Sequence, residues 1–453
     1  MSSPPQTTRW RPLLLAAFLA FGCSALAIPW GPAAPLDPPT PAVEEATPDA
    51  QAANAVSLPQ RERAERLVEL GVQRWHAAGF RGKGVKVAVL DTGFRGYREQ
   101  LGKALPAQVA VKCFRADGDL EARDSQHGIL CAEVIHALAP EAELLLATWE
   151  PNQPEQFLQA ADWARRQGAR VLSCSVIMPS WGDGEGGGPI HDKLRRILGS
   201  GKQSDDVLCF ASAGNTARRH WSGRYAAGSD GCHEWQAGQA DNRIRPWGDD
   251  RVSVELCCPT SCRYTVEVYD AATGAEVGRG TSGNAGRNAA VVRFIPSAGQ
   301  RYRARVKLTD GQPQPFHLVV LGGELEHSTA RGSVAFPGDS PEVVAVGAVD
   351  EDGARLGYSA CGPNSKRPKP DFVAQVPFTT LWRDRPFTGT SAAAPQVAAL
   401  AALSWSRNAG WTAGQVRQAL QQWSRDLGDP GHDCETGFGL AVLPAPADVQ
   451  DMR

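Results

Sequence analysis

The sequence alternates short, nearly continuous apolar runs rich in valine with longer segments in which apolar residues recur at helical spacing. Continuous apolar runs are typical of parallel strands that helices cover on both faces. The strand-like runs are residues 85–90, 109–114, 142–148, 171–176, 207–211 and 343–349. The helix-like segments are residues 61–78, 128–138, 155–167, 191–198, 391–406 and 413–424. This alternation predicts an α/β fold, a three-layer α/β/α domain with a mostly parallel central sheet.

A second pattern interrupts the first between residues 218 and 327, where apolar and polar residues alternate and turn residues separate the runs. The runs are residues 252–256, 264–269, 289–294, 302–308 and 316–321. They predict an inserted antiparallel β-sandwich domain. Its aromatic side chains are candidates for contact with a protein or a polysaccharide, although aromatic residues at alternate strand positions more often lie in a core. These candidates are Trp235, Trp247, Tyr264, Tyr269 and Tyr302.

The N-terminal segment has the composition of a secretory signal peptide. Arg9 and Arg11 precede a short apolar run, and Ala25 and Ala27 supply small residues for cleavage. We therefore expect a secreted or periplasmic protein with no transmembrane segment in the mature chain, a lipid anchor on Cys23 being the alternative. The predicted divisions are a signal peptide (1–27), a proline- and alanine-rich linker (28–62), an α/β domain in two parts (63–217 and 328–445), the insert (218–327) and a tail (446–453).

Net charge limits the classes of binding partner, and the cysteine content bears on whether the thiols are oxidised. The 47 basic and 49 acidic residues give a net charge of -2, so nothing favours binding to nucleic acid or to an anionic membrane. Ten cysteines follow the leader of a chain bound for an oxidising compartment, which predicts several disulfide bonds. For Cys174 and Cys209, inside apolar runs, a buried free thiol is the alternative. A cluster in the insert predicts bridges of its own, with zinc as the less favoured alternative. It comprises Cys232, Cys257, Cys258 and Cys262.

Two polar residues, Asp91 and His127, are the first candidates for a catalytic role. Asp91 ends the strand-like run 85–90, and ligands of open α/β sheets collect at the carboxyl ends of the strands. The string Asp-Thr-Gly also occurs in aspartic proteases, but no second such string follows here. His127 precedes Gly128 at the predicted start of a helix, whose positive end disfavours imidazolium and would keep a neutral base. Taken alone, Asp91 could equally have a purely structural role. His136 and His432 are alternative candidates for the histidine that acts as the base.

Two further strings complete a set of groups suited to nucleophilic catalysis. Ser391 lies between a glycine and a run of alanines at a predicted helix start, where the backbone N–H groups lack internal partners. Asn215 follows the strand-like run 207–211 and offers a side-chain amide to an oxyanion. An ordinary helix cap and an ordinary turn are the alternatives for these strings. A serine hydroxyl needs an imidazole to take its proton and a carboxylate to orient that imidazole, and the sequence supplies all three.

With these strings in the order Asp, His, Asn, Ser, the chain resembles the subtilisin family of secreted serine endopeptidases. The likeness extends to Gly82-Lys83-Gly84-Val85, the run 343–348, Lys369-Pro370-Asp371 and Gly437-Phe438-Gly439. The resemblance implies a subtilisin-like fold and polypeptide substrates. It implies that Asp91, His127 and Ser391 form a catalytic triad and that Asn215 contributes to an oxyanion hole.

The resemblance also implies a substrate-binding segment, Ser175, Val176 and Ile177, with Ala213 and Gly214 beside it. Members of the family usually carry glycine in that segment, and this chain does not. The implied chemistry requires no cofactor, and no metal site is assigned. Calcium stabilises many relatives, so a structural calcium ion is left open as an alternative, without an assigned ligand set. The alternative function is an inert subtilisin-like scaffold whose β-insert binds polysaccharide or protein.

Overall fold

The computed structural model describes residues 57–121, 125–283, 288–364 and 368–449. The predicted signal peptide and nearly all of the predicted linker lie outside the described residues. The helices are α1 (Leu58–Glu69), α2 (Val72–Ala77), α3 (His127–Leu138), α4 (Pro154–Arg166), α5 (Pro189–Leu198), α6 (Thr390–Arg407) and α7 (Ala413–Trp423). None of these described helices is long and apolar enough to cross a membrane.

A seven-stranded sheet forms the centre of the α/β domain. Its strands are β1 (Lys86–Leu90), β2 (Ala110–Cys113), β3 (Glu143–Thr148), β4 (Ala169–Cys174), β5 (Leu208–Ser212), β15 (Val344–Val349) and β16 (Phe372–Gln375), the numbers between falling in the insert. Their order is β16-β15-β5-β4-β1-β3-β2, and every neighbouring pair is parallel. Because all strands run the same way, their carboxyl ends meet at one edge of the sheet.

Helices cover both faces of this sheet, because successive side chains of a strand point to opposite faces. On β1, Val87 and Val89 pack in the cluster that contains α3, α6 and α7. Ala88 and Leu90 pack in the cluster that contains α4 and α5. The predicted three-layer α/β/α domain is therefore confirmed.

The insert consists of two antiparallel sheets that share a core. Its strands are β6 (His220–Arg224), β7 (Asn242–Pro246), β8 (Val252–Cys257), β9 (Cys262–Asp270), β10 (Glu276–Thr281), β11 (Ala289–Phe294), β12 (Tyr302–Gly311), β13 (Pro315–Leu321) and β14 (Gly323–Leu325). One sheet has the order β10-β9-β12-β7-β14 and the other β11-β8-β13-β6. Side chains of both sheets, such as Val266 and Leu318, meet in one buried cluster. The predicted antiparallel insert is confirmed.

Three details differ from the sequence prediction. The predicted helix over residues 61–78 is two helices, broken at Gly71, which has φ 77° and whose added Cβ would lie 2.1 Å from the carbonyl oxygen of Leu443. The strand β16 was not predicted, nor were β6, β7, β10 and β14 of the insert. These strands are short, or lack the alternation of apolar and polar residues that identifies a strand.

The cysteines and the aromatic residues of the insert also differ from expectation. All ten cysteines in the described part of the chain are free thiols, so the structure gives no support to the predicted disulfide bonds. Cys174 and Cys209 are buried free thiols, the alternative considered for them. Of the five aromatic candidates for partner contact, three lie in the core of the insert and Trp247 is exposed. The three core residues are Trp235, Tyr264 and Tyr302.

Candidate active site

Three neighbouring strands of the central sheet carry candidate site residues at their carboxyl ends. Asp91 follows β1, Ser175 follows β4 and Asn215 lies three residues beyond β5. These strands are adjacent in the order β5-β4-β1, so the three residues are brought to one edge of the sheet. The helices α3 and α6 begin at this edge with His127 and with Thr390-Ser391.

The carboxylate of Asp91 is buried and both of its oxygens are occupied. Its Oδ1 accepts hydrogen bonds from the backbone N–H groups of Thr92, at 2.8 Å, and Gly93, at 3.3 Å. Its Oδ2 accepts from Nδ1 of His127 at 2.7 Å. Because Nδ1 carries the proton that Asp91 accepts, Nε2 of the neutral ring is left as a proton acceptor.

Two glycines allow this approach between β1 and α3. A Cβ added to Gly93 would lie 2.3 Å from the Cβ of Ser125, and one added to Gly128 would lie 2.4 Å from the ring of Phe94. The N–H of Gly128 donates to the carbonyl oxygen of Gly93 at 2.8 Å. The glycine after His127 therefore brings the start of α3 against the end of β1.

The protonation of His127 differs from the sequence expectation. Burial favours the neutral ring, but the charge and hydrogen bond of Asp91, together with the contact of Cys131, outweigh burial and hold the pKa of His127 well above its usual 6.5. The expectation that the helix start would favour a neutral imidazole was therefore wrong, because a helix end carries about half a charge whereas Asp91 carries a full one in direct contact. The side chain is 31% exposed, which leaves part of the ring accessible to solvent.

Ser391 occupies the second position of α6. Its hydroxyl donates to the carbonyl oxygen of Ser175 at 3.3 Å, and the hydroxyl of Ser175 donates to the carbonyl oxygen of Ser391 at 3.2 Å. Among the described residues, the hydroxyl of Ser391 has no hydrogen bond to His127, and its backbone N–H has no acceptor. The pair of bonds with Ser175 holds the start of α6 against the end of β4.

Asn215 is fixed by the residue before the candidate serine. Its Oδ1 accepts from both the N–H and the hydroxyl of Thr390, each at 3.0 Å. Gly389 has φ 82°, and a Cβ there would lie 2.9 Å from Nδ2 of Asn215. No described residue accepts a hydrogen bond from that Nδ2, so the amide donor remains available beside Ser391.

The predicted substrate-binding residues fall into two groups. Val176 and Ile177 are partly exposed and extend the chain beyond β4, next to Gly214, where an added Cβ would lie 3.4 Å from Ile177. Ala213 is buried instead, and packs with Val334 and Ala345 behind the cleft. The structure therefore places Ser175, Val176, Ile177 and Gly214 at the carboxyl end of β4, where Ser175 contacts Ser391, and buries the side chain of Ala213 elsewhere.

Cys131 is a site residue that the sequence analysis did not identify. It lies one turn after His127 on α3, and its Sγ is 3.9 Å from Nδ1 of His127, 3.9 Å from Oδ2 of Asp91 and 3.8 Å from the carbonyl oxygen of Ser391. Burial raises the pKa of this thiol, which favours the neutral form. Its spacing of four residues from His127 was the available signal, since such residues share a helix face.

One group of residues in the described part of the chain could hold a metal ion by geometry. Ligand atoms of Asp91, His127 and Cys131 lie within 4.8 Å of one another. Two of them are the candidate acid and base, so we assign no metal to the group. The insert cysteines Cys257, Cys258 and Cys262 form no such group among the described residues.

Comparison with known proteins decides the family. The model of the subtilase family matches residues 82–241 and 264–439. The chain belongs to the subtilase family. The matched ranges of this subtilase include Asp91, His127, Asn215 and Ser391.

Individual relatives cover smaller parts of the chain. The subtilase is 37% identical over 103 residues to a thermostable alkaline protease of Halalkalibacterium halodurans, which covers 23% of this chain and 28% of the relative. It is 34% identical over 132 residues to subtilisin E of Bacillus subtilis. That alignment covers 29% of this chain and 33% of subtilisin E. The chain thus spans about a third of the length of these curated relatives. The solved CspB protease of Clostridium perfringens shares the fold, with a TM-score of 0.59 at 15% identity, over 83% of this chain and 95% of that one.

Proposed function

We propose that this subtilase is a serine endopeptidase that hydrolyses peptide bonds through an acyl-enzyme. The observation that carries the proposal is the position of Cys131, whose sulfur lies within 3.9 Å of the imidazole of His127 and 3.8 Å of the backbone of Ser391. The residue of the candidate base and that of the candidate nucleophile therefore both contact one atom. The hydrogen bond between Asp91 and Nδ1 of His127 supplies the orientation that such a base requires.

In the proposed reaction, the hydroxyl of Ser391 leaves the carbonyl of Ser175 by rotation about one side-chain bond. Its Oγ then attacks the carbonyl carbon of the peptide while Nε2 of His127 takes the proton. The oxyanion accepts hydrogen bonds from the N–H of Ser391 and from Nδ2 of Asn215, both of which lack other acceptors among the described residues. His127 gives the proton to the leaving amine, and a water molecule, deprotonated by the same ring, hydrolyses the ester.

The proposed substrate is an extended polypeptide lying along Ser175, Val176 and Ile177, with Gly214 beside it. Extended peptides bind by adding a strand to an exposed backbone edge, and this segment continues beyond the hydrogen-bonded part of β4. Every group in the proposed reaction comes from the chain, so it requires no cofactor. We also infer that the protein acts after export, in the secreted or periplasmic state, from the composition of residues 1–27.

The test is peptide hydrolysis by the full chain and by two alanine variants. Ser391→Ala is expected to lower kcat by about a thousandfold or more, because the nucleophile is lost. Ser204→Ala, an exposed serine of the same domain, is the matched control and should keep full activity. Hydrolysis by Ser391→Ala at the rate of the control would contradict the proposal.

A further inference from the structure

At both of its ends, the loop between β7 and β8 of the insert lies near residues of the candidate site. At the first end, the ring centre of Trp247 lies 4.5 Å from the guanidinium carbon of Arg219. Nε of Arg219 in turn donates to the carbonyl oxygen of Asn215 at 2.8 Å. Two contacts therefore connect the insert to the proposed oxyanion donor, while Trp247 stays 60% exposed.

At its second end, the loop borders a cavity of about 220 Å³ beside the proposed substrate-binding segment. Ile177 and Met178 line this cavity together with Arg251, Glu255 and Arg293 of the insert. The volume is below the about 300–1,000 Å³ of sites that hold a whole small molecule. A cavity of this size next to Ile177 suits one side chain of a bound peptide.

The charges of this cavity leave one cation without a counterion. Glu255 is 3% exposed and accepts hydrogen bonds from Nη2 of Arg293, at 3.2 Å, and from the N–H of Ser180, at 3.0 Å. Glu150, also in the lining, lies 3.3 Å from Nε of Arg115, which also pairs with Asp117. Arg251 is exposed and has no charged partner among the described residues. Arg251 is therefore the arginine of this lining that has no ion pair in the described part of the chain.

We propose that the insert forms part of the substrate-binding surface and that Arg251 selects peptides with a carboxylate side chain, Asp or Glu, in this cavity. This inference rests on the proposed peptidase function. It assigns to the loop over residues 247–251 a specificity role, distinct from the chemistry at Ser391. The preference follows from charge, since an acidic side chain is the partner that Arg251 lacks.

The first experiment measures kcat/KM for matched peptides that differ in one residue, Glu, Gln or Lys, placed in turn at each position before the cleaved bond. At one position the wild type should prefer Glu to Gln by about fivefold, the upper range for a solvent-exposed ion pair. Arg251→Ala should remove that preference, and Arg251→Glu should turn it into a preference for Lys. Arg301→Ala, an exposed insert arginine outside the cavity, is the matched control and should keep the preference for Glu.

A second measurement separates this inference from the proposed function. Binding of the same peptides to Ser391→Ala, followed by fluorescence, requires no turnover and should show the same order of Glu, Gln and Lys. The double variant Ser391→Ala with Arg251→Ala should bind Glu and Gln peptides equally. If the wild type hydrolyses none of the peptides but binding still follows the order Glu, Gln, Lys, the proposed function is contradicted and the inferred recognition is supported. Equal binding of Glu and Gln peptides to Ser391→Ala at every position, or a preference unchanged by Arg251→Ala, would overturn the inference.

Discussion

At the scale of single residues, the pair formed by Asp91 and His127 determines what the site can do. Both oxygens of the carboxylate are held, one by two backbone N–H groups and the other by the ring, so the ring orientation is fixed. The sequence could predict the identity of these residues, because each follows an apolar run at a sheet edge or opens a helix. It could not predict the protonation of His127, which depends on a 2.7 Å contact with a residue 36 positions away.

The pH dependence of hydrolysis follows from this contact. The base must be neutral, and Asp91 raises the pKa of His127, so kcat/KM should fall as the pH drops through a value above 6.5. Asp91→Asn removes the charge, so the acid limb should move to lower pH while the plateau rate falls by about 10⁴-fold. The measurement is the pH profile of kcat/KM for both proteins. An acid limb at the same pH in both would show that Asp91 does not control the ring.

The amide of Asn215 gives a second prediction at this scale. Asn215→Asp keeps an oxygen for the N–H and hydroxyl of Thr390 but loses the donor proposed for the oxyanion. We expect kcat to fall by about 100- to 1,000-fold with little change in KM, because the lost interaction forms only in the transition state. Steady-state kinetics test this, with the melting temperature as the check on folding. A normal kcat in a folded variant would exclude Asn215 from the oxyanion hole.

At the scale of elements, the site depends on how closely α3 and α6 approach the sheet edge. The alternation of strands and helices could be predicted because buried strands and amphipathic helices leave clear apolar patterns. The break at Gly71 could not, since it arises from contact with Leu443, far away in the sequence. The strand β16 was missed because four residues after Pro370 and Asp371 are too few to show a period.

The glycine at the start of α3 gives a prediction for this scale. Gly128→Ala places a Cβ 2.4 Å from the ring of Phe94 and 2.8 Å from the carbonyl oxygen of Gly93, so α3 must shift and carry His127 with it. We expect a loss of about 1–3 kcal/mol in the free energy of unfolding, together with reduced kcat. Denaturant unfolding and peptide kinetics measure the two effects. Gly410→Ala, where an added Cβ meets nothing within 4 Å, is the control, and equal behaviour of the two variants would contradict the packing argument.

At the scale of the whole molecule, the insert and the α/β domain are joined by buried and partly buried polar contacts. Glu255 accepts from the N–H of Ser180, the thiol of Cys257 donates to the carbonyl oxygen of Pro179 at 2.8 Å, and Nε2 of His317 lies 3.1 Å from Glu185. The insert itself could be predicted, because the spacing of apolar residues changes to an alternation with polar residues between residues 218 and 327. Its attachment could not be predicted, because these contacts join side chains that carry no pattern in the sequence.

This attachment predicts that the two parts unfold together. Glu255→Ala removes a buried carboxylate and leaves the partly buried N–H of Ser180 without its acceptor, so we expect a loss of about 1–3 kcal/mol in stability and one cooperative transition in calorimetry. Glu276→Ala, an exposed carboxylate of the insert, should have a small effect. Two separate transitions in the wild type would show that the insert folds and unfolds independently.

The central claim is that distant parts of the chain bring Ser391 to the imidazole of His127 as an activated nucleophile. Mass spectrometry after reaction with a serine-directed phosphonate tests it directly. We predict a single covalent adduct on the peptide that contains Ser391, and its loss in His127→Ala. An adduct on another serine, or an equally fast reaction of Ser391 in the His127→Ala variant, would contradict the account.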